Sequence, residues 1–182
     1  MLSTLKVLSN VKAIRKLTSK KFMTFSSENF TIKIWNVYTG ECLQTINEKD
    51  VWCVDKLTDE TIISGSGGHK IKIWNIETGL SFKSLDQKSP VTCLRVVSND
   101  KVLSGTCQSF IIKLWSLEND CCIKTFVGNT DYVLNIQLIS DKWFASVSRN
   151  KTIKLWDFET NCLKTFNDPN KMILKAFEII IM

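Results

Sequence analysis

The chain has 182 residues, with seven Cys, two Pro and a single His, 44% hydrophobic residues and 23% charged ones. That balance excludes intrinsic disorder and a collagen-like fibre, and the length suits one domain with a sizeable core or two small ones. The net charge of +6 is local: Lys6, Lys12, Arg15, Lys16, Lys20 and Lys21 fall in an acid-free stretch over residues 1–27, and the other 18 basic residues are matched by 18 acids. With His69 as the one histidine, a His-rich metal centre is excluded and a histidine general base is confined to that residue. No run of 18 apolar residues predicts a transmembrane helix, and the first 25 residues lack the uninterrupted apolar core of a secretory signal.

In chain order, residues 1–8 come first, as an outer or closing strand. A first unit over 9–47 opens on Val11, Ile14 and Leu17 and carries TIKIW at Thr31 to Trp35. A second over 48–87 repeats the pattern with Val51, Val54, Leu57 and then KIKIW, ending at Trp74. The third, 88–128, has Val91, Leu94, Val97 and IIKLW up to Trp115; the fourth, 129–168, has Val133, Ile136, Ile139 and TIKLW up to Trp156. The tryptophans lie 39, 41 and 41 positions apart and the leading valines 40, 40 and 42, so two separate markers keep one period. Residues 169–182 begin a fifth unit, with Ile173, Ala176 and Ile179 at the marker positions.

Within each unit, short runs rich in Ile, Val, Thr, Phe and Trp alternate with turn clusters such as Thr39-Gly40, Ser66-Gly67-Gly68 and Ser98-Asn99-Asp100. The second unit illustrates four predicted strands, over 51–57, 61–66, 70–76 and 81–85. Four short strands joined by tight turns make an antiparallel meander, and a sheet apolar on both faces needs like sheets stacked against it. The expected fold is all-β: a β-propeller, partial or small, of four four-stranded antiparallel blades plus one extra strand. Three arrangements remain open at this level: a stretch of a longer propeller, an arc completed by another chain, or a small ring closed by residues 1–8.

Three segments carry a family resemblance: SGSGGHKIKIWNIETG (Ser64 to Gly79), SVSRNKTIKLWDFETNCLKTF (Ser146 to Phe166) and TIKIWNVYTGECLQTI (Thr31 to Ile46). They resemble WD repeats, most like those of F-box/WD proteins and other intracellular scaffolds, over about residues 11–167. The resemblance implies a buried hydrogen-bond network of a Gly-His pair, a turn Asp, a Ser and the Trp. Here the Gly-His pair is missing, the turn position holds Asn29, Gly68, Ser109 and Asn150, and the terminal dipeptide survives intact only as Trp156-Asp157. At about 1 kcal/mol per bond, a mostly unmade network predicts a looser propeller held chiefly by apolar packing.

Candidate chemistry is sparse. Cys42, Cys122 and Cys162 share one repeat position and Cys53 and Cys93 another, with no C-x-x-C spacing, so the thiols are expected to be small core residues in a reducing, intracellular setting. His69 reads as a turn residue, and Gly67-Gly68 as a tight turn with positive φ, because the Lys-Ser/Thr and helix of a phosphate loop are lacking. No catalytic, cofactor or metal residues are assigned. The four repeated tryptophans read as packing between blades.

Trp52 does not recur: Lys12, Thr92 and Leu134 hold its position. In the family this position, the residue two places earlier and the one before the turn Asp face a partner-binding surface. The implied set is Lys12, Glu28, Asp50, Trp52, Thr92, Tyr132, Leu134 and Arg149, with Asn10, Gly67, Pro90 and Gln108 around it. The expectation is a non-catalytic scaffold for protein or peptide partners, cytoplasmic or nuclear, with self-association as one way to complete the ring. The narrower alternative is a ubiquitin-ligase substrate receptor taking an acidic or phosphorylated peptide on Lys12 and Arg149. Nucleic-acid binding is disfavoured by a Lys-rich cluster without an aromatic platform. A mitochondrial transit segment is disfavoured because Val11, Ile14 and Leu17 are in register with the later repeats.

Overall fold

A computed structural model describes residues 11–26, 28–159 and 161–167. The expected strand over 1–8 and the start of a fifth repeat over 169–182 lie outside the described residues, as does Asn10. Among the described residues every regular element is a strand, and the strands form four antiparallel sheets in sequential order. The first sheet contains β1 (Val11–Lys16), β2 (Lys21–Ser26), β3 (Thr31–Asn36) and β4 (Cys42–Asn47). The second contains β5 (Val51–Lys56), β6 (Thr61–Ser66), β7 (Lys70–Asn75) and β8 (Ser81–Asp86). The third is β9 (Val91–Val96), β10 (Lys101–Thr106), β11 (Ile112–Ser116) and β12 (Cys121–Phe126); the fourth is β13 (Val133–Leu138), β14 (Trp143–Ser148), β15 (Thr152–Asp157) and β16 (Cys162–Asn167). Two compact units divide the chain, Met1–Lys88 with the first two sheets and Ser89–Met182 with the last two.

Each unit is held by the same packing. In the first, Met23, Ile32, Ile34 and Ile46 of one sheet meet Val51, Val54, Ile62 and Trp74 of the next. In the second, the equivalent Leu103, Ile112, Leu114 and Phe126 meet Val133, Ile136, Phe144 and Trp156. Val51 and Trp74 in the first unit, and Val133 and Trp156 in the second, thus share one face and cover the preceding sheet. That placement accounts for the two-faced apolarity, because a middle strand gives alternate side chains to opposite sheet faces. Ile14 holds the position of Val54 and Ile136 but is exposed.

The expectation of a mostly unmade polar network needs correction at one link, the bond between the Trp and the hydroxyl. In every blade the Trp indole N–H donates to a buried hydroxyl on the neighbouring strand: Trp35 to Thr24 (2.8 Å), Trp74 to Ser64 (2.9 Å), Trp115 to Ser104 (2.9 Å) and Trp156 to Ser146 (2.8 Å). In the fourth blade Ser146 Oγ donates onward to Asn129 Oδ1 (3.3 Å), so an Asn after Gly128 accepts the bond at that end of the relay. The hydroxyl and the Trp persist because an indole N–H buried without an acceptor costs more than the bond itself contributes.

Turn chemistry explains the residue after each Trp. Asn36 Oδ1 accepts from the backbone N–H of Tyr38 and Thr39, Asn75 Oδ1 from Glu77 and Thr78, and Asp157 Oδ1 from Glu159. Asn therefore does the work of Asp here, since only the carbonyl-type acceptor is used. Between the second and third strands of each blade the left-handed residue is Phe30, His69, Phe110 or Lys151. At this turn of the second blade positive φ thus falls on His69 and not on the glycines before it.

A second correction concerns the thiols. Cys93 and Cys107 are buried, but Cys42, Cys121 and Cys122 are exposed, and Cys53 and Cys162 are half-buried. Cys42, Cys122 and Cys162 sit where the outer strand bulges, each with its Sγ near the carbonyl two residues on, at 3.4, 3.4 and 3.5 Å. A bulge adds one residue to the strand and turns its side chains off the sheet face, so a repeated position need not be a core position.

Candidate partner-binding face

Each inner strand also carries a bulge, and it falls on the residues singled out by sequence. The register skips Lys12 between Val11 and Ala13, Trp52 between Val51 and Cys53, Thr92 between Val91 and Cys93, and Leu134 between Val133 and Asn135. An unpaired bulge residue is released from the alternation of the pleat, so its side chain is re-aimed while its neighbours stay in the core. Val51 and Val133 remain fully buried next to Trp52 and Leu134, which are 40% and 42% exposed.

In the first unit, three of the expected residues interlock at one end of the second blade. Trp52 Nε1–H donates to Asp50 Oδ1 at 2.8 Å, and the Gly67 N–H donates to the Asp50 carbonyl at 3.0 Å. A Cβ at Gly67 would stand 2.3 Å from Asp50 Oδ2 and 2.8 Å from the indole, so glycine is required there by close approach and not by backbone angle. Asp50 is itself left-handed, with φ 65°, a conformation that Asp tolerates better than most residues. Nearby, Asp86 is held well below the usual carboxylate range, at about 2, by hydrogen bonds from Lys88 and the charge of Lys70. Lys12 and Glu28 are exposed at the corresponding end of the first blade.

In the second unit, the Arg149 guanidinium lies over the Tyr132 ring, 4.5 Å from its centroid, and its Nε is 3.6 Å from Asp131 Oδ2. The Arg149 N–H donates to the Tyr132 carbonyl at 2.9 Å, and Phe110 packs against the same ring at 6.0 Å between centroids. Asp131 and Phe110 were not legible as site residues: the first precedes the marker by two positions, and the second is brought over from the third blade. Thr92 has a different role, since its hydroxyl shares its one proton between the carbonyls of Gly105 (3.1 Å) and Val133 and clips the third blade to the fourth.

A further repeated feature escaped sequence reasoning. Leu43, Phe82, Ile123 and Leu163 are the bulge residues of the four outer strands, and all are exposed. The available signal was an apolar residue after a small Cys or Ser, repeated in all four units. At the far end of the fourth blade a shallow cleft of about 220 Å³ is lined by Asp141, Lys142, Asp157, Phe158 and Glu159. No cluster of three or more potential metal ligands occurs among the described residues, and no described helix is long and apolar enough to cross a membrane.

Comparison with known proteins places these features. The WD40 model (WD domain, G-beta repeat) matches residues 40–75 and 120–157. Among curated proteins no significant match was found. Among solved structures, the WD40 β-propeller domain of Doa1 superposes with a TM-score of 0.78 at 20% identity, over 92% of this chain and 57% of that one. This chain therefore spans a little over half the length of that propeller. The WD40 matches fall within the repeats, and the likeness in fold identifies the four sheets as blades of a β-propeller.

Proposed function

We propose that the protein is a non-catalytic platform that binds protein or peptide partners through the bulge-bearing ends of its inner strands. WD40 propeller domains are generally protein-interaction scaffolds. For this chain the reading rests on one observation, the Asp50–Trp52–Gly67 constellation. A large aromatic is held exposed by a hydrogen bond and a dedicated glycine while the valine beside it stays in the core. Ordering such a ring in advance removes part of the entropic cost of binding, and Trp, Tyr and Arg are the side chains that most often dominate interface energetics.

The narrower reading as a ubiquitin-ligase receptor would use Lys12 and Arg149 to receive an acidic or phosphorylated peptide. Arg149 already has Asp131 as counter-ion and Tyr132 as stacking partner, which favours the general platform. The test is capture of partners from extract followed by titration of a purified captured partner. Trp52→Ala is expected to weaken that binding by about 2 kcal/mol with the thermal midpoint little changed. A variant that loses its fold, or one that binds as tightly as the parent, would overturn the assignment.

A further inference from the structure

Blades 2 and 4 solve the same local problem in two ways. Position 149 in the fourth blade is equivalent to position 67 in the second, and position 132 to position 50. In the fourth blade an arginine at 149 fills the space between an aromatic ring and a carboxylate, stacked on Tyr132 and 3.6 Å from Asp131. In the second blade the aromatic and the carboxylate are present as Trp52 and Asp50, but the arginine position is Gly67. The second blade thus sets a ring beside an acid from other positions, Trp52 at the place of Leu134 and Asp50 at that of Tyr132, and with no arginine beside them.

From this we infer that Trp52 and Asp50 form a receiving site for an arginine side chain of a protein partner. The inference rests on the platform reading and names the partner chemistry. The indole stands with one edge over Gly67 and a substantial part of its surface in solvent. Donation from its Nε1–H to a carboxylate enriches the ring in electron density, and the same carboxylate puts a negative charge beside the ring. A planar guanidinium can stack on an indole and donate to the carboxylate in the same pose, which a compact ammonium does less well. Lys70 and Lys88 both lie against Asp86, at 3.7 and 2.7 Å. Lys33, Lys72 and Lys113 cover the buried tryptophans of their own blades. Among the described residues no lysine or arginine side chain lies over the Trp52 ring.

The experiment follows the indole N–H resonances of the full chain while the peptide Ac-Gly-Arg-Gly-NH2 is added, with the Trp52 signal assigned by its loss in Trp52→Phe. The expected result is a saturable shift confined to Trp52, with half-saturation at or below about 1 mM. The lysine peptide should bind more weakly, and the norleucine and aspartate peptides should leave the signal in place. Asp50→Asn should weaken arginine binding about tenfold. Raising the salt from about 0.05 to about 0.5 M should weaken it in the unsubstituted protein too, which keeps the test valid if that variant does not fold. No shift of Trp52 with the arginine peptide, or equal binding of the lysine or norleucine peptide, would overturn the inference. The platform reading is judged separately: a captured partner that still needs Trp52 while the arginine peptide has no effect leaves the platform standing and removes only this inference.

Discussion

Cys93 and Cys42 carry the same thiol in opposite settings. Cys93 is buried, with its Sγ where a side chain on Gly105 would have to go and 3.7 Å from the Val133 carbonyl, and burial pushes its pKa up from 9.0 to about 12. Burial also raises that of Cys107. The thiolate is the nucleophile, so both should resist alkylation in the folded protein, whereas the exposed Cys42, Cys121 and Cys122 should react. Mass spectrometry after brief iodoacetamide treatment, before and after denaturation, would check this; native labelling of Cys93 would contradict it. The linkage has a definite sign: the folded state holds the Cys93 proton more tightly, so its contribution to stability is intact below pH 9 and declines as the pH rises from there toward about 12. The equivalence of Cys53 and Cys93 was legible from spacing. The exposure of Cys42 was not, because the bulge that places it depends on the register of β4 against β3.

At the scale of the element, the blade is a four-stranded meander locked by one indole–hydroxyl bond and shaped by two bulges. Ser146 makes that bond in the fourth blade, where Trp156 is fully buried among Phe126 and Phe144. Ser146→Ala leaves the Trp156 N–H without its acceptor and should cost about 1–3 kcal/mol, read as a lower denaturant midpoint at unchanged slope. An unchanged midpoint would show that the bond contributes nothing. Strand identity was readable from residue type and turn chemistry: the strands expected at 51–57, 61–66, 70–76 and 81–85 differ from β5–β8 by at most one residue at an end. The persistence of the hydroxyl bond was not, because the expectation followed the missing Gly-His pair and gave too little weight to the Ser or Thr that every second strand retains. The clip from one blade to the next likewise emerges only in three dimensions. Gln44 Nε2 donates to the Glu77 carbonyl in the first unit, and Lys124 Nζ at the equivalent place donates to those of Phe158 and Glu159 in the second.

Over the whole molecule, charge separates two classes of partner. All the excess positive charge belongs to residues 1–27, and the rest of the chain is formally neutral. In that stretch Arg15 lies 3.6 Å from Asp55 and Lys21 3.9 Å from Glu77, so part of the charge is answered within the first unit. A protein with few phosphate-neutralising contacts has only weak affinity for nucleic acid, so the chain should pass immobilised DNA or RNA unretained at about 0.15 M salt. Retention at that salt would revive the nucleic-acid reading. The second unit also presents an apolar side: Phe166 is 41% exposed, whereas its equivalents Ile46, Leu85 and Phe126 are all buried.

The amino-acid sequence alone determined the repeat, the strand order, the all-β class and the positions at which blades differ from one another. These are local properties: a period of about 40, side-chain alternation and turn residues can all be read along one strand of text. Tertiary structure decided which of the variable residues meet and what each then does. It set Trp52 on Asp50 over Gly67, gave Arg149 to Tyr132 and Asp131, and withdrew Thr92 into a clip between blades. The reason is register: one extra residue in an inner strand re-aims a side chain, and only pairing with the neighbouring strand reveals where that extra residue lies.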